Sequence, residues 1–228
     1  MKTLILISFL CTQFIIHCQD GSILLEKVVS KISLVKDYSV DALIRADVPF
    51  IKISPVNAKI YFKQKNKFKV VSKGIAILPK QGFTEVNTFL LQKNSYMAVE
   101  SGTKMIGELK TSLITVIPTN ENSEFILAKL WVDPKNAVII SSQITTRSSG
   151  TVNVSYRYGS QIAFGLPSEL IFEIDVKKFK MPKSIASDLN NSNSKKSNGK
   201  TDKKGTITIK LSNYSINKGI SDSFFLKK

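Results

Sequence analysis

The stretch Val56 to Ser72, VNAKIYFKQKNKFKVVS, limits what this chain can fold into more than any other. Ile60 and Phe62 alternate with Lys59, Tyr61 and Lys63; after a turn at Lys65-Asn66, Phe68 and Val70 alternate with Lys67 and Lys69. Strand side chains point to opposite faces with period two, so this is an antiparallel hairpin with one apolar and one lysine-rich face. The pattern then recurs. Tyr96 to Glu100, Thr111 to Ile117, Glu124 to Val132, Ala137 to Arg147, Thr151 to Tyr158 and Glu169 to Val176 read as strands. They are separated by Gly102, Pro118-Thr119-Asn120, Pro134-Lys135-Asn136, Ser149-Gly150 and Gly165-Leu166-Pro167. With Tyr38 to Val48 and a final strand at Gly205 to Leu211, the count is about nine to eleven. Connections this short cannot make parallel crossovers, so the topology is an antiparallel meander.

Helix is scarce. Ser22 to Lys36 carries Leu25, Val28, Val29, Ile32 and Val35 at helical spacing, with Asp20 or Ser22 as cap, and Thr84 to Gln92 has the character of a short second helix. The fold class is therefore mainly β (α+β). One substantial helix cannot seal an inner row of Ile60, Phe62, Phe68, Val70, Val154, Tyr156, Phe172 and Ile174. A curled sheet, left partly open, would enclose an apolar pocket that suits alkyl chains, with Leu25, Val28 and Ile32 as the lid over it.

The first residues differ from the rest. Lys2 precedes an apolar run from Leu4 to Ile16, too short to span a bilayer, and residues 1–18 read as a secretory signal peptide cleaved after Cys18. The alternative, lipid attachment at Cys18, wants small residues where Ile16 and His17 stand. Residues 19–228 then form a single periplasmic domain, expected to be a monomer. Both cysteines and the lone histidine lie within 1–18, so the mature chain has no disulfide, no His/Cys metal site and no Ser-His or Cys-His nucleophile.

Other catalytic patterns are weak. Ser-x-x-Lys, as at Ser33–Lys36 and Ser101–Lys104, recurs too often in a Ser/Lys-rich chain to carry meaning. Glu169, Glu173 and Asp175 fall on the strand face opposite Leu170 and Phe172, which is a solvated outer face rather than an acid/base pair. No phosphate-binding glycine loop is present. The expectation is a binder without enzymatic activity, cofactor or metal.

Charge is lopsided. The chain carries +16, and +15 once Lys2 is removed; eight lysines and no acid lie between Lys52 and Lys80. Anionic lipid head groups at a membrane surface, or acidic partner surfaces, are the contacts this charge favours. Residues 184–204, SIASDLNNSNSKKSNGKTDKK, hold too few apolar side chains to offset their ordering entropy and read as a mobile polar loop. The aromatic interleaving of a nucleic-acid arm is missing there, so no nucleic acid is expected.

Taken in order, YFKQKNKFKV, LWVDPKN, YGSQIAFGLPSELIFEIDV and NYSINKGISDSFF resemble the periplasmic lipoprotein carrier (LolA-like) family, most of all its Bacteroidetes-type outer-membrane lipoprotein-sorting proteins. The resemblance covers about residues 21 to 226 outside the insertion. It implies an incomplete antiparallel β-barrel capped by helices, which binds the acyl chains of lipoproteins received from an inner-membrane lipoprotein exporter. It also implies a departure. Where family members commonly read aromatic-x-Lys-Arg-Pro-x-x-Phe, with the arginine helping to hold the lid closed, this chain has Gln64 for the arginine and Lys65 for the proline, while Lys63 and Phe68 are kept. A neutral amide can still bond helix carbonyls but lacks the guanidinium's charge and five donors. The alternative function is a lipid-sensing or protein-binding scaffold on the same half-barrel.

Overall fold

The computed structural model describes residues 21–48, 51–52, 54–65, 67–74, 76, 78–79, 85–148, 150–175 and 204–226. The expected signal peptide lies outside them, as does the insertion up to residue 203. In chain order the elements are α1 (Gly21–Ser33), β1 (Asp37–Val48), β2 (Ile51–Lys52), β3 (Val56–Lys63), β4 (Lys67–Ser72) and α2 (Glu85–Leu90). There follow η1 (Lys93–Ser95), β5 (Tyr96–Ile106), β6 (Leu109–Pro118), β7 (Phe125–Asp133), β8 (Val138–Thr146) and β9 (Gly150–Tyr158). The chain closes with η2 (Ile162–Phe164), β10 (Pro167–Asp175), β11 (Lys204–Ile216) and α3 (Ser223–Leu226).

The strands form one antiparallel sheet in the order β4-β3-β1-β11-β10-β9-β8-β7-β6-β5, with the short β2 against the end of β1. From β5 to β11 it is a plain meander. The hairpin side joins it where β1 pairs with β11, Tyr38 opposite Ile216 through Asp47 opposite Thr206. β4 and β5 stand at opposite ends of the order, so the sheet is not closed into a barrel.

Alternation puts one row of every strand inside. Val40, Ala42 and Ile44 of β1, Ile60 and Phe62 of β3, Phe172 of β10 and Ile207 and Ile209 of β11 make one buried cluster. Ile114 and Val116 of β6, Leu130 and Val132 of β7 and Ile144 of β8 make a second, which the helices cover with Leu25, Val28 and Val29 of α1 and Val86, Phe89 and Leu90 of α2. Tyr156 packs against both. The outer faces are polar where Thr145 meets Thr151 and Gln143 meets Asn153.

Two boundaries differ from expectation. Gly102 does not end a strand: β5 runs through it at φ 115 with a register shift between Glu100 and Thr103, and the chain reverses at Gly107-Glu108 instead. An isolated glycine in a strand pattern marks a bulge as readily as a turn. The last strand does not end at Leu211 but continues to Ile216. Asn213, at φ 55, sits in a bulge opposite Ser39 and Asp41 that breaks the alternation by one residue and hides the continuation. Of the carboxylate row, Glu173 is exposed, while Glu169 is only 14% exposed and lies 3.0 Å from Arg157 and 3.9 Å from Lys210.

Candidate functional site: a cleft beneath the first helix

The carbonyls at a helix C-terminus have no partners within the helix. In α1 and the turn after it, two amide side chains from distant parts of the chain supply them. Gln64, in the β3–β4 turn, donates Nε2 to the Ser33 and Val35 carbonyls at 3.2 and 2.9 Å, and its backbone N–H reaches Lys36 at 2.8 Å. Asn217, just past β11, donates Nδ2 to the Leu34 carbonyl at 2.8 Å and accepts the Lys36 N–H on Oδ1 at 2.7 Å. Asn217 sits at φ 56, and the turn it opens is held by the buried carboxylate of Asp37, which accepts the N–H groups of Lys218 and Gly219 at 3.0 and 3.1 Å.

One turn earlier, the Lys31 ammonium donates to the Asn136 carbonyl and, at 3.5 Å, to that of Ile162. The Asn136 turn is itself built by Asp133, which accepts from the Lys135 N–H at 2.9 Å and the Asn136 side chain at 2.6 Å. Gly165, at φ 65, lets the loop after η2 pass close to α1: a Cβ there would stand 3.8 Å from both Lys31 Cβ and Ile32 Cγ1. All four segments that carry the family resemblance thus meet at the second half of α1, or brace the turns that do.

Beneath it runs a cleft between the two apolar clusters. Two adjoining hollows of about 30 and 20 Å³ share Ile32, Tyr38, Asn87, Gly165 and Leu166. Each has room for a water or two, so the helix sits down on its sheet. Among the described residues no charged side chain lines either hollow. The polar groups present are mainly tyrosine hydroxyls with partners: Tyr158 donates to the Ile139 carbonyl at 2.8 Å, Tyr214 to that of Pro167 at 2.8 Å, and Tyr156 lies 3.0 Å from Ser142 Oγ. Burial pushes Tyr156 up to about 12, and Tyr38, Tyr158 and Tyr214 further, so the lining stays uncharged across physiological pH. Phe62 stacks on Tyr38 at 5.1 Å. Chemically this is an uncharged aromatic slot suited to hydrocarbon, and among the described residues no nucleophile or paired carboxylates line it.

Of the residues expected to line a pocket, Phe62, Tyr156 and the lid residues Val28 and Ile32 line these hollows. Ile60, Val154 and Phe172 are fully buried in the first cluster, with Phe68 and Val70 packed against it. Leu25 is buried in the second. Ile174 pairs with Gly205, and its side chain lies outside the described residues. Sequence reasoning missed Tyr38, Tyr214, Phe164 and Leu166 as lining, and Lys31 and Asn217 as ties. Tyr38 carried a signal, since it opens a strand on its inner row; Tyr214 was hidden by the bulge at Asn213. Lys31 carried none.

No family model matches this chain, and no curated protein does. Solved structures share its fold. A LolA-superfamily protein from Nitrosomonas europaea superposes with TM-score 0.57 at 13% identity, over 91% of this chain and 98% of its own. A DUF1329-family protein from Desulfovibrio piger gives 0.57 at 10%, over 90% and 97%. A domain from Vibrio parahaemolyticus, described as an outer-membrane lipoprotein-sorting protein, gives 0.54 at 9%, over 88% and 95%. No helix among the described residues is long and apolar enough to cross a membrane.

Proposed function

We propose that this chain, which has the open antiparallel fold of LolA-superfamily and lipoprotein-sorting domains, is a non-enzymatic periplasmic carrier of lipoproteins, taking their acyl chains beneath α1. The observation that carries this is the uncharged aromatic cleft under a helix tied down by side-chain bonds and packing rather than by covalent links. Raising the second half of α1 from the sheet, against the ties at its C-terminus, widens the two hollows into one slot along Phe62, Tyr38, Ile32 and Tyr156. Each methylene withdrawn from water contributes about 0.8 kcal/mol, so a palmitoyl chain supplies enough to offset the helix packing it displaces. The exporter of the inner membrane is the proposed donor, the outer membrane the destination, and the lysine surface the contact with anionic head groups.

The small closed volume favours a second reading, a scaffold that binds protein on the same half-barrel and takes up no lipid. Mass spectrometry of organic extracts from purified protein separates the two. Diacylglyceryl species at near one per chain support the carrier. A lipid-free extract, together with no uptake of added lipopeptide, supports the scaffold.

A further inference from the structure

A second opening adjoins the cleft. β10 and β11 pair from Glu169–Lys210 to Asp175–Lys204 and no further toward Pro167, which has no N–H to give to a ladder. On one side the register slips between Pro167 and Glu169; on the other, β11 bulges at Asn213. These two irregularities on neighbouring strands part the sheet at this end. A recess of about 300 Å³, open to solvent, lies there, far roomier than the hollows under α1. Its wall toward the cleft is shared: Leu166, Pro167, Leu211 and Tyr214 line both. Among the described residues the rest of its lining is polar and uncharged, with the hydroxyls of Ser160, Ser168 and Ser212 and the amides of Gln161 and Asn213. Charges on the adjoining strands are engaged, Asp41 by Asn213 and Lys59, and Glu169 by Arg157.

We propose that this recess is a binding site for the uncharged glyceryl-ester head of the acylated ligand, entered from the cleft past Tyr214. The proposal rests on the carrier reading above. An apolar slot beside a neutral polar chamber matches a molecule that is hydrocarbon at one end and ester and hydroxyl at the other. A phosphate head would find no cationic partner among the described residues that line the recess. Tyr214 stands in both walls, its hydroxyl held by the Pro167 carbonyl at 2.8 Å, and forms the partition the ester must pass.

Ser212→Trp and Ser160→Trp each fill the chamber from an exposed position, one on a strand and one on a loop. Binding of three probes is measured on the full chain: a dipalmitoylglyceryl-cysteine lipopeptide, dipalmitoylglycerol, and the headless fluorophore N-phenyl-1-naphthylamine. The expected result is that both variants weaken the two glyceryl probes about tenfold or more and leave the naphthylamine unchanged. Unchanged affinity for both glyceryl probes overturns the proposal while the carrier reading stands. Loss confined to the lipopeptide overturns the glyceryl assignment, and parallel loss of naphthylamine in both variants overturns the separation of chamber from cleft. A parent protein that takes up none of the three fails the carrier reading and this inference with it.

Discussion

Gln64 illustrates how little of a residue's role its type alone reveals. Without the guanidinium of the family pattern, it still bonds two carbonyls at the end of α1, because an amide offers two donors at the required reach. Gln64→Ala removes both, and the expected loss is about 1–2 kcal/mol in urea unfolding together with faster lipopeptide uptake. Asn217→Ala, which frees the Leu34 carbonyl and Lys36 N–H, should act in the same direction, and the pair should be non-additive because both hold one helix end. Phe62→Glu places a carboxylate in the aromatic stack with Tyr38 and should abolish naphthylamine binding; retention of binding by a folded variant would remove Phe62 from the site. The inner rows were legible from alternation, which is why Ile60, Phe62, Val154 and Phe172 are buried as expected. Which buried residues border free space was not, because a slot is made by the neighbours a fold brings together. Tyr38 faces the cleft only because β11 delivers Tyr214 beside it.

Elements were read more surely than their ends. The opening hairpin forms with Ile60 opposite Val70 and Phe62 opposite Phe68, but its outer face carries a clasp that the sequence did not suggest. The turn before α3 sets Asp222 between Lys63 and Lys67 at 2.7 and 2.6 Å, and Phe224 against Tyr61 at 4.5 Å with the Lys69 ammonium over its ring. The lysine-rich face is thus partly covered by residues 222–224. Bonds from Lys63 and then Lys67 hold the Asp222 carboxyl down to about 2, below its ordinary 3.8. A lowered carboxylate pKa stabilises above the unfolded value and is lost as pH falls through the folded one. Amide protection of residues 221–226, taken as exchange relative to the intrinsic rate at each pH, should therefore be constant from neutral pH to about 5 and fall between about 4 and 2. Asp222→Asn should show the lowered protection at neutral pH. The bulges at Gly102 and Asn213 escaped for a common reason: a bulge shifts the alternation by one residue, which looks in a sequence like the end of a strand.

At the scale of the whole molecule, the open order from β4 to β5 leaves a sheet that the helices close on one face only. The polar insertion enters and leaves between paired neighbours, Asp175 opposite Lys204, so it can be shortened without moving either strand. Replacing Ser187 to Asp202 with a short Gly-Ser turn should leave the melting temperature and lipopeptide affinity close to the parent, because closing a shorter loop changes the entropy little. The claim that decides function is that α1 must rise from its sheet. Lys31 Cβ and a Cβ built on Gly165 stand 3.8 Å apart, about the separation across a native disulfide. In a chain with Cys11 and Cys18 replaced by serine, Lys31→Cys with Gly165→Cys therefore permits a reversible bolt between the helix and the loop beneath it. Lipopeptide binding is measured on the oxidised and reduced protein, with Lys31→Cys and Gly165→Cys as single controls, since a side chain at φ 65 strains the loop by itself. The carrier mechanism predicts that oxidation abolishes uptake and that reduction restores it to the level of the weaker single control; equal uptake by the bolted and unbolted forms would contradict it.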